Sequence, residues 1–329
     1  MTLTRSDLVQ LAEIQAAAPR IASLARRTPV LEASVPACAR LFLKCENMQP
    51  AGAFKIRGAA NMLRQLPPGE RAHGVITYSS GNHGQAVALA AKSLGLPAVI
   101  VMPTTAPPIK VEGVRGCGAE VIFEGTTSAD RRTRAEAEAA ARGLTIIPPF
   151  DHPWIIAGQG TAGLEILEQV PDAALVLVPI GGGGLASGVA AAVKQSRPHV
   201  RVVGVEPRGA NAMQQSLEAG HPVTIARSQS IADGLLPVRP GDLTFAHVRA
   251  FIDEVVTVGD EHIVAALRWL YYDARLVVEP SGATALAALL SGAVSAPSPS
   301  SGPPVVVLSG GNVSPASLSA LLDQPALVT

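Results

Sequence analysis

The sequence predicts an α/β protein with two α/β domains, each a sheet of buried strands under helices. Three observations predict it. Short apolar runs of strand length alternate with Ala-rich helical stretches along most of the chain. Hydrophobic residues make up 48% of the chain and aromatics only 3%, so Ala, Val, Leu and Ile must fill the core, which suits buried parallel strands. The 329 residues exceed one small domain and suit one large or two medium ones.

In chain order, "RTPVLEAS" and "ARLFLKCEN" read as first strands that could join either domain. Four β–α units follow. "GVITY" (74–78), "PAVIVMP" (97–103), "AEVIFEG" (119–125) and "LTIIPPF" (144–150) read as strands. "QAVALAAKSLG", "PPIKVEGVRGCG" and "SADRRTRAEAEAAARG" read as the helices between them, the last with charges on one face. Units this close together predict a small parallel sheet with helices on both faces. A second series starts near residue 154, with strands "ALVLVPI" (174–180), "RVVGVEP" (201–207) and "PVVVLSGG" (304–311). Its helices are "LASGVAAAVKQ", "EHIVAALRWLYYDA" and "GATALAALLSG", and "SAPSPSSGPP" is a solvated loop. No repeat of fixed period is present.

The charge is balanced, 26 basic residues against 26 acidic, so nothing draws the chain in bulk to nucleic acid or an anionic membrane. Cys38, Cys45 and Cys117 show no CxxC spacing and suggest reduced thiols in a cytoplasmic protein. The first residues carry charges where a signal peptide needs an apolar core, and no apolar run reaches the ~18 residues of a membrane span. A soluble cytoplasmic protein is expected.

Open α/β sheets bind ligands beyond the carboxyl ends of their strands. Four loops there carry chemistry. "PIGGGGLASG" (179–188) runs from a strand through four glycines into a helix, presenting bare N–H groups and a helix N-terminus to a phosphate. It has neither the GK[ST] of a P-loop nor the GxGxxG spacing with a downstream acid. A flexible strand–helix connection is the plain alternative. "SSGNHGQA" (79–86) offers hydroxyls, an amide and an imidazole, enough for a carboxylate; the plain alternative is a well-capped helix start. His83 alone reads more readily as structural than as catalytic. "LSGGN" (308–312) would point the Ser309 hydroxyl into the space the strand ends surround. "AFKIRGA" (53–59) holds Lys55 among small residues. A lone lysine is normally a surface charge, but beside a phosphate cradle it can form a Schiff base with a phosphorylated aldehyde.

At these residues the sequence resembles the pyridoxal-phosphate enzymes of the tryptophan-synthase-β fold type, in the serine/threonine dehydratase and serine racemase branch. The matching segments, in the family's order, are "AFKIRGA", "SSGNHGQA", "IAGQGTAGLEI", "PIGGGGLASG", "GVEP", "SIADGL", "VEPSGA" and "LSGGN". The resemblance implies two open twisted sheets with helices on both faces (fold type II) and the cofactor in the cleft between a large and a small domain. The large domain would comprise 1–65 and 153–329, and the small domain, 66–152, would carry the substrate-carboxylate loop.

The resemblance also implies roles. Lys55 would bond the cofactor aldehyde and act as general base, with Phe54 against the cofactor ring. Asn82 would bond the 3′ oxygen, and Gly181, Gly182, Gly183, Gly184 and the Leu185 amide would hold the phosphate. Gly234 would lie near the ring, Ser309 at the pyridine nitrogen, and Glu279 near the cofactor. Ser79, Ser80, Gly81, Asn82 and His83 would bind the substrate carboxylate. Ser80 matches the position that handles the proton on the opposite ring face in racemising relatives. Residues near Phe150 to Trp154 and Leu235 to Pro237 would line the side-chain pocket. Position 53 is Ala where the family usually has Ser. Racemase-like relatives bind a divalent cation (Mg or Ca) at positions matching Glu206, Ala210 and Ala212; with Ala at 212, a site at Glu206 and Ala210 lacks one carboxylate.

The function implied is a pyridoxal-5′-phosphate-dependent lyase. It would eliminate water from L-threonine, L-serine or a bulkier β-hydroxy amino acid, giving a 2-oxo acid and ammonia. The alternative is a serine or aspartate racemase. "SSGNHGQA" argues against β-replacement, and Lys55 against a non-catalytic phosphate-ligand sensor. A homodimer is the default for such relatives. The chain ends soon after "LSGGN", so isoleucine feedback through a C-terminal domain is not expected.

Overall fold

The computed structural model describes residues 7–79, 81–106 and 108–324. In chain order the elements are α1 (Leu11–Ile21), β1 (Val30–Val35), β2 (Cys38–Lys44), α2 (Lys55–Gln65), α3 (Pro68–Arg71), β3 (Val75–Tyr78), α4 (Asn82–Ser93), β4 (Ala98–Met102), α5 (Pro108–Gly116), β5 (Glu120–Phe123), α6 (Ser128–Arg142) and β6 (Thr145–Ile146). There follow α7 (Pro153–Gln169), β7 (Leu175–Pro179), α8 (Gly184–Ser196), β8 (Arg201–Pro207), α9 (Ala212–Ala219), α10 (Asp242–Phe251), β9 (Glu254–Val258), α11 (Asp260–Tyr272), α12 (Pro280–Leu290), β10 (Pro304–Val307) and α13 (Pro315–Leu322).

Strands β3 to β6 form one four-stranded sheet, order β5-β4-β3-β6, with every pair parallel. Every residue of β4 is buried, as a continuous apolar run predicts for a central parallel strand. Helix α6 begins at a Thr127–Asp130 capping box and ends at Gly143 in the left-handed conformation. Its charges pair on the outer face, Arg132 with Glu136 and Arg134 with Glu138. The stretch "LTIIPPF" pairs only at Thr145 and Ile146. Pro148 and Pro149 have no N–H to continue a ladder, so the strand is shorter than its apolar run.

The other sheet is six-stranded, order β1-β2-β10-β7-β8-β9. It is parallel except for β1, which pairs antiparallel with β2. Pairing of β2 with β10 assigns both early strands to this sheet. "EVVTV" adds β9, an edge strand that the apolar runs did not single out. Helix α7 carries the "IAGQGTAGLEI" segment, and its glycines are contact points. A Cβ at Gly158 would lie 2.6 Å from the Arg57 carbonyl oxygen, and one at Gly160 would lie 2.9 Å from that of Gly188. Only glycine lets α2 and α8 approach α7 this closely.

A buried ion cluster fixes α2. The Arg57 guanidinium, 1% exposed, donates to both oxygens of Glu46 (2.7 and 2.8 Å) and of Glu165 (2.7 and 2.8 Å). It also donates to Thr161 and to the Arg26 carbonyl. The Lys44 ammonium, fully buried, joins through Glu165 at 2.5 Å, with Gln169 and the Thr28 carbonyl completing its bonds. Burial opposes ionisation of Glu46, yet the Arg57 guanidinium holds its carboxyl below the usual range. Two bases and two acids, each with further hydrogen bonds, make these buried charges tolerable.

Candidate active site

The site is built where the six-stranded sheet's carboxyl ends meet the loop after β3. Lys55 opens α2, and the residues before it are tied to the loop after β10. The Phe54 N–H donates to the Ser309 carbonyl at 3.1 Å, and buried Ala53 bridges Gly310. Lys55 Nζ donates to the Pro149 carbonyl at 2.7 Å and lies 5.2 Å from the centre of the Phe54 ring. Among the described residues no carboxylate pairs with it, and burial alone lowers its pKa from 10.5 to about 8.

A closed ring of contacts starts and ends at this lysine. Ser309 Oγ donates to the Ser281 carbonyl at 3.4 Å, and Ser281 Oγ accepts from the Gly234 amide at 2.9 Å. A Cβ at Gly181 would sit 3.2 Å from the Gly234 oxygen and 3.0 Å from Leu235 Cα. A Cβ at Gly182 would run into the Phe150 ring. Phe150 follows Pro149, whose carbonyl holds Lys55. On one side, Asn82 donates to Glu279 at 2.6 Å and accepts from Asn312 at 2.9 Å. Burial first, and the Asp233 charge second, push the Glu279 carboxyl up to about 8.

Two helices point uncapped N-termini from these loops. Neither Gly183 before α8 nor Gly81 before α4 makes a side-chain cap bond. Gly183 has φ 95°, which turns the chain from β7 into α8. Thr244 steadies the turn by donating to the Gly182 carbonyl at 2.7 Å. The first-turn amides of both helix starts are placed to bind an anion.

The remaining expected residues fall as follows. Ser79 Oγ accepts from the Gly81 amide at 3.2 Å, while Ser80 lies outside the described residues. The His83 ring turns inward, 3% exposed, with Nε2 3.1 Å from the Ile147 carbonyl. Burial, with the nearby Lys55 charge, lowers its pKa to about 3, so the imidazole stays neutral. What His83 can offer a ligand is its main-chain amide at the start of α4.

At the candidate cation positions, Glu206 is engaged by main-chain amides. Both Glu206 oxygens accept helix amides, Met213 at 2.9 Å and Gln214 at 2.8 Å, so this acid caps α9. Ala210 is buried in a 3-10 turn. Among the described residues no group of three His, Cys, Asp or Glu could hold a metal. Sequence reading missed Ser281, Pro149 and Asn312, because their contributions are contacts between distant segments with no local signature.

The pyridoxal-phosphate dependent enzyme family matches residues 21–310. The chain belongs to that family. Within it, the chain is 42% identical over 314 residues to an L-threonine ammonia-lyase of Geobacter sulfurreducens, covering 94% of this chain and 77% of that protein. It is also 42% identical over 304 residues to a serine racemase of Schizosaccharomyces pombe, covering 92% and 93%. The structure of maize serine racemase superposes with TM-score 0.89 at 41% identity, covering 95% of this chain and 96% of that one. The family's cofactor carries a phosphate and an aldehyde, and the residues present fit both. The α8 N-terminus is an uncapped, glycine-lined cradle for an anion, and Lys55 is a half-buried amine with a lowered pKa.

Proposed function

We propose that this enzyme removes water from a β-hydroxy amino acid, L-threonine, L-serine or a bulkier one, giving a 2-oxo acid and ammonia. The observation that carries it is Lys55: a half-buried amine with no acid partner among the described residues, lowered to about 8, on the ring of loops between two uncapped helix starts. The lyase name of the Geobacter relative supports the same reaction.

In this reading Phe54, Asn82, Gly181 to Gly184, the Leu185 amide, Gly234, Glu279 and Ser309 hold the cofactor. Pyridoxal phosphate, when bound, supplies an electron sink for the pair left at the substrate's α-carbon. The amides and hydroxyls of 79–83 hold the substrate carboxylate at the α4 N-terminus. Neutral Lys55 takes the α proton as general base. The β-hydroxyl takes up one proton, balancing the one Lys55 removed, and leaves as water; the enamine product then consumes one water to give the 2-oxo acid and ammonia. Neutral Ser309 leaves the ring nitrogen less protonated than an acid would, which suits quick loss of a leaving group. Residues 1–65 with 153–329 serve as the large domain and 66–152 as the small one. A homodimer, the default for such relatives, in the cytoplasm completes the reading; the three cysteines are free, as a reducing compartment would keep them.

Racemisation of serine or aspartate is the second reading, favoured by the racemase names of the Schizosaccharomyces and maize relatives. Incubating the purified enzyme with each candidate, with a 2-oxo acid assay and chiral analysis of residual substrate, separates them. Elimination gives 2-oxo acid; no such product from any candidate would sink it.

A further inference from the structure

The loop proposed to hold the substrate carboxylate follows β3 of the four-stranded sheet, while the glycine cradle and Ser309 follow β7 and β10 of the six-stranded one. An ion pair spans the gap beside it. Lys110 on α5 reaches across and bonds Asp233 Oδ2 at 2.7 Å. Its side chain is only 15% exposed, against 55% for Asp233. On its way it arches over Gly81: a Cβ there would lie 3.3 Å from Nζ, 3.7 Å from Cδ and 3.8 Å from Cε. Asp233 directly precedes Gly234, whose amide is held by Ser281 on the far side of the cleft. Each end of the pair is therefore one residue or one contact from a proposed ligand-binding loop.

We propose that Lys110 and Asp233 form a positioning pair that pins the substrate-carboxylate loop against the Gly234 turn, setting substrate affinity without entering the chemistry. The proposal rests on the reading of 79–83 as the carboxylate loop. Lys110 is held in place by its own packing over Gly81, so only Asp233 must be ordered to make the bond. This lowers the entropy cost that usually cancels an exposed ion pair. A methyl at 81 would meet the ammonium at 3.3 Å, so the end of the lysine would have to give by a few tenths of an ångström.

The alternative use of this ammonium, direct contact with the substrate carboxylate, makes opposite predictions. The test uses holoenzyme carrying Lys110→Met, Asp233→Asn, or the exchanged pair Lys110→Asp with Asp233→Lys. A positioning pair predicts that each single variant raises KM about fivefold with kcat little changed, and that the exchanged pair recovers most of the loss. A lower KM in Asp233→Asn, or no recovery in the exchanged pair while the cofactor absorbance is retained, would overturn it. Thermal melts of the substrate-free holoenzymes measure the same coupling as a double-mutant cycle. That readout stands even if the wild type turns over none of the candidate substrates, which would instead count against the reaction proposed above. A coupling of zero in the melts also overturns the pair.

Discussion

Lys55 shows how far one residue can be read from its surroundings. As one basic residue among small ones it reads as a surface charge, yet here it is a half-buried amine bonded to a carbonyl. Only the neutral amine attacks an aldehyde, and its pKa is lowered to about 8. Uptake of pyridoxal phosphate by apoprotein should therefore speed up as pH rises through about 8 and level off above it. Stopped-flow absorbance checks this, and Lys55→Ala should show no visible band at any pH. The glycine cradle makes a second prediction. A methyl at Gly182 meets the Phe150 ring, so Gly182→Ala should weaken cofactor binding by about 10²-fold while circular dichroism stays native. The lysine and the glycines were legible because their chemistry needs those residue types. The His83 ring, read alone as more readily structural, is buried against the Ile147 carbonyl, which leaves only its main chain to a ligand.

At the scale of elements, α2 matters most, since its first residue is Lys55 and its third is the centre of the ion cluster. Arg57→Leu would leave Glu46 and Glu165 without their shared guanidinium in the interior. The expected loss is about 3–5 kcal/mol, read from the denaturant midpoint, with cofactor uptake falling in step. A change within about 0.5 kcal/mol, the scale of surface substitutions, would show that α2 is held by its apolar packing and glycine contacts alone. The apolar strands β4, β7 and β8 were legible, because full burial writes itself as a continuous run. The length of β6 was not: apolar residues continue past Ile146, and the prolines end the pairing. Nor was the job of Glu206. Its motif matched a cation ligand in relatives, while the nearby start of α9 takes both its oxygens.

For the whole molecule, two sheets were legible from the alternation of strand and helix lengths, and the chemistry from ordered motifs far apart in the chain. What holds those motifs in one cleft was not legible. The contacts from Ser309 through Ser281, Gly234, Phe150 and Pro149 back to Lys55, closed by the Phe54–Ser309 bond, join segments far apart in the chain, and no local pattern encodes them. The cleft's central claim is elimination driven from Lys55. It is tested most directly by measuring ammonia and 2-oxo acid released together from L-threonine and L-serine, by wild type and by folded Lys55→Ala. Elimination predicts equal amounts of the two products from wild type with at least one of these substrates, and none from the variant. D-amino acid accumulating from wild type without 2-oxo acid, or undiminished release by Lys55→Ala, would contradict it.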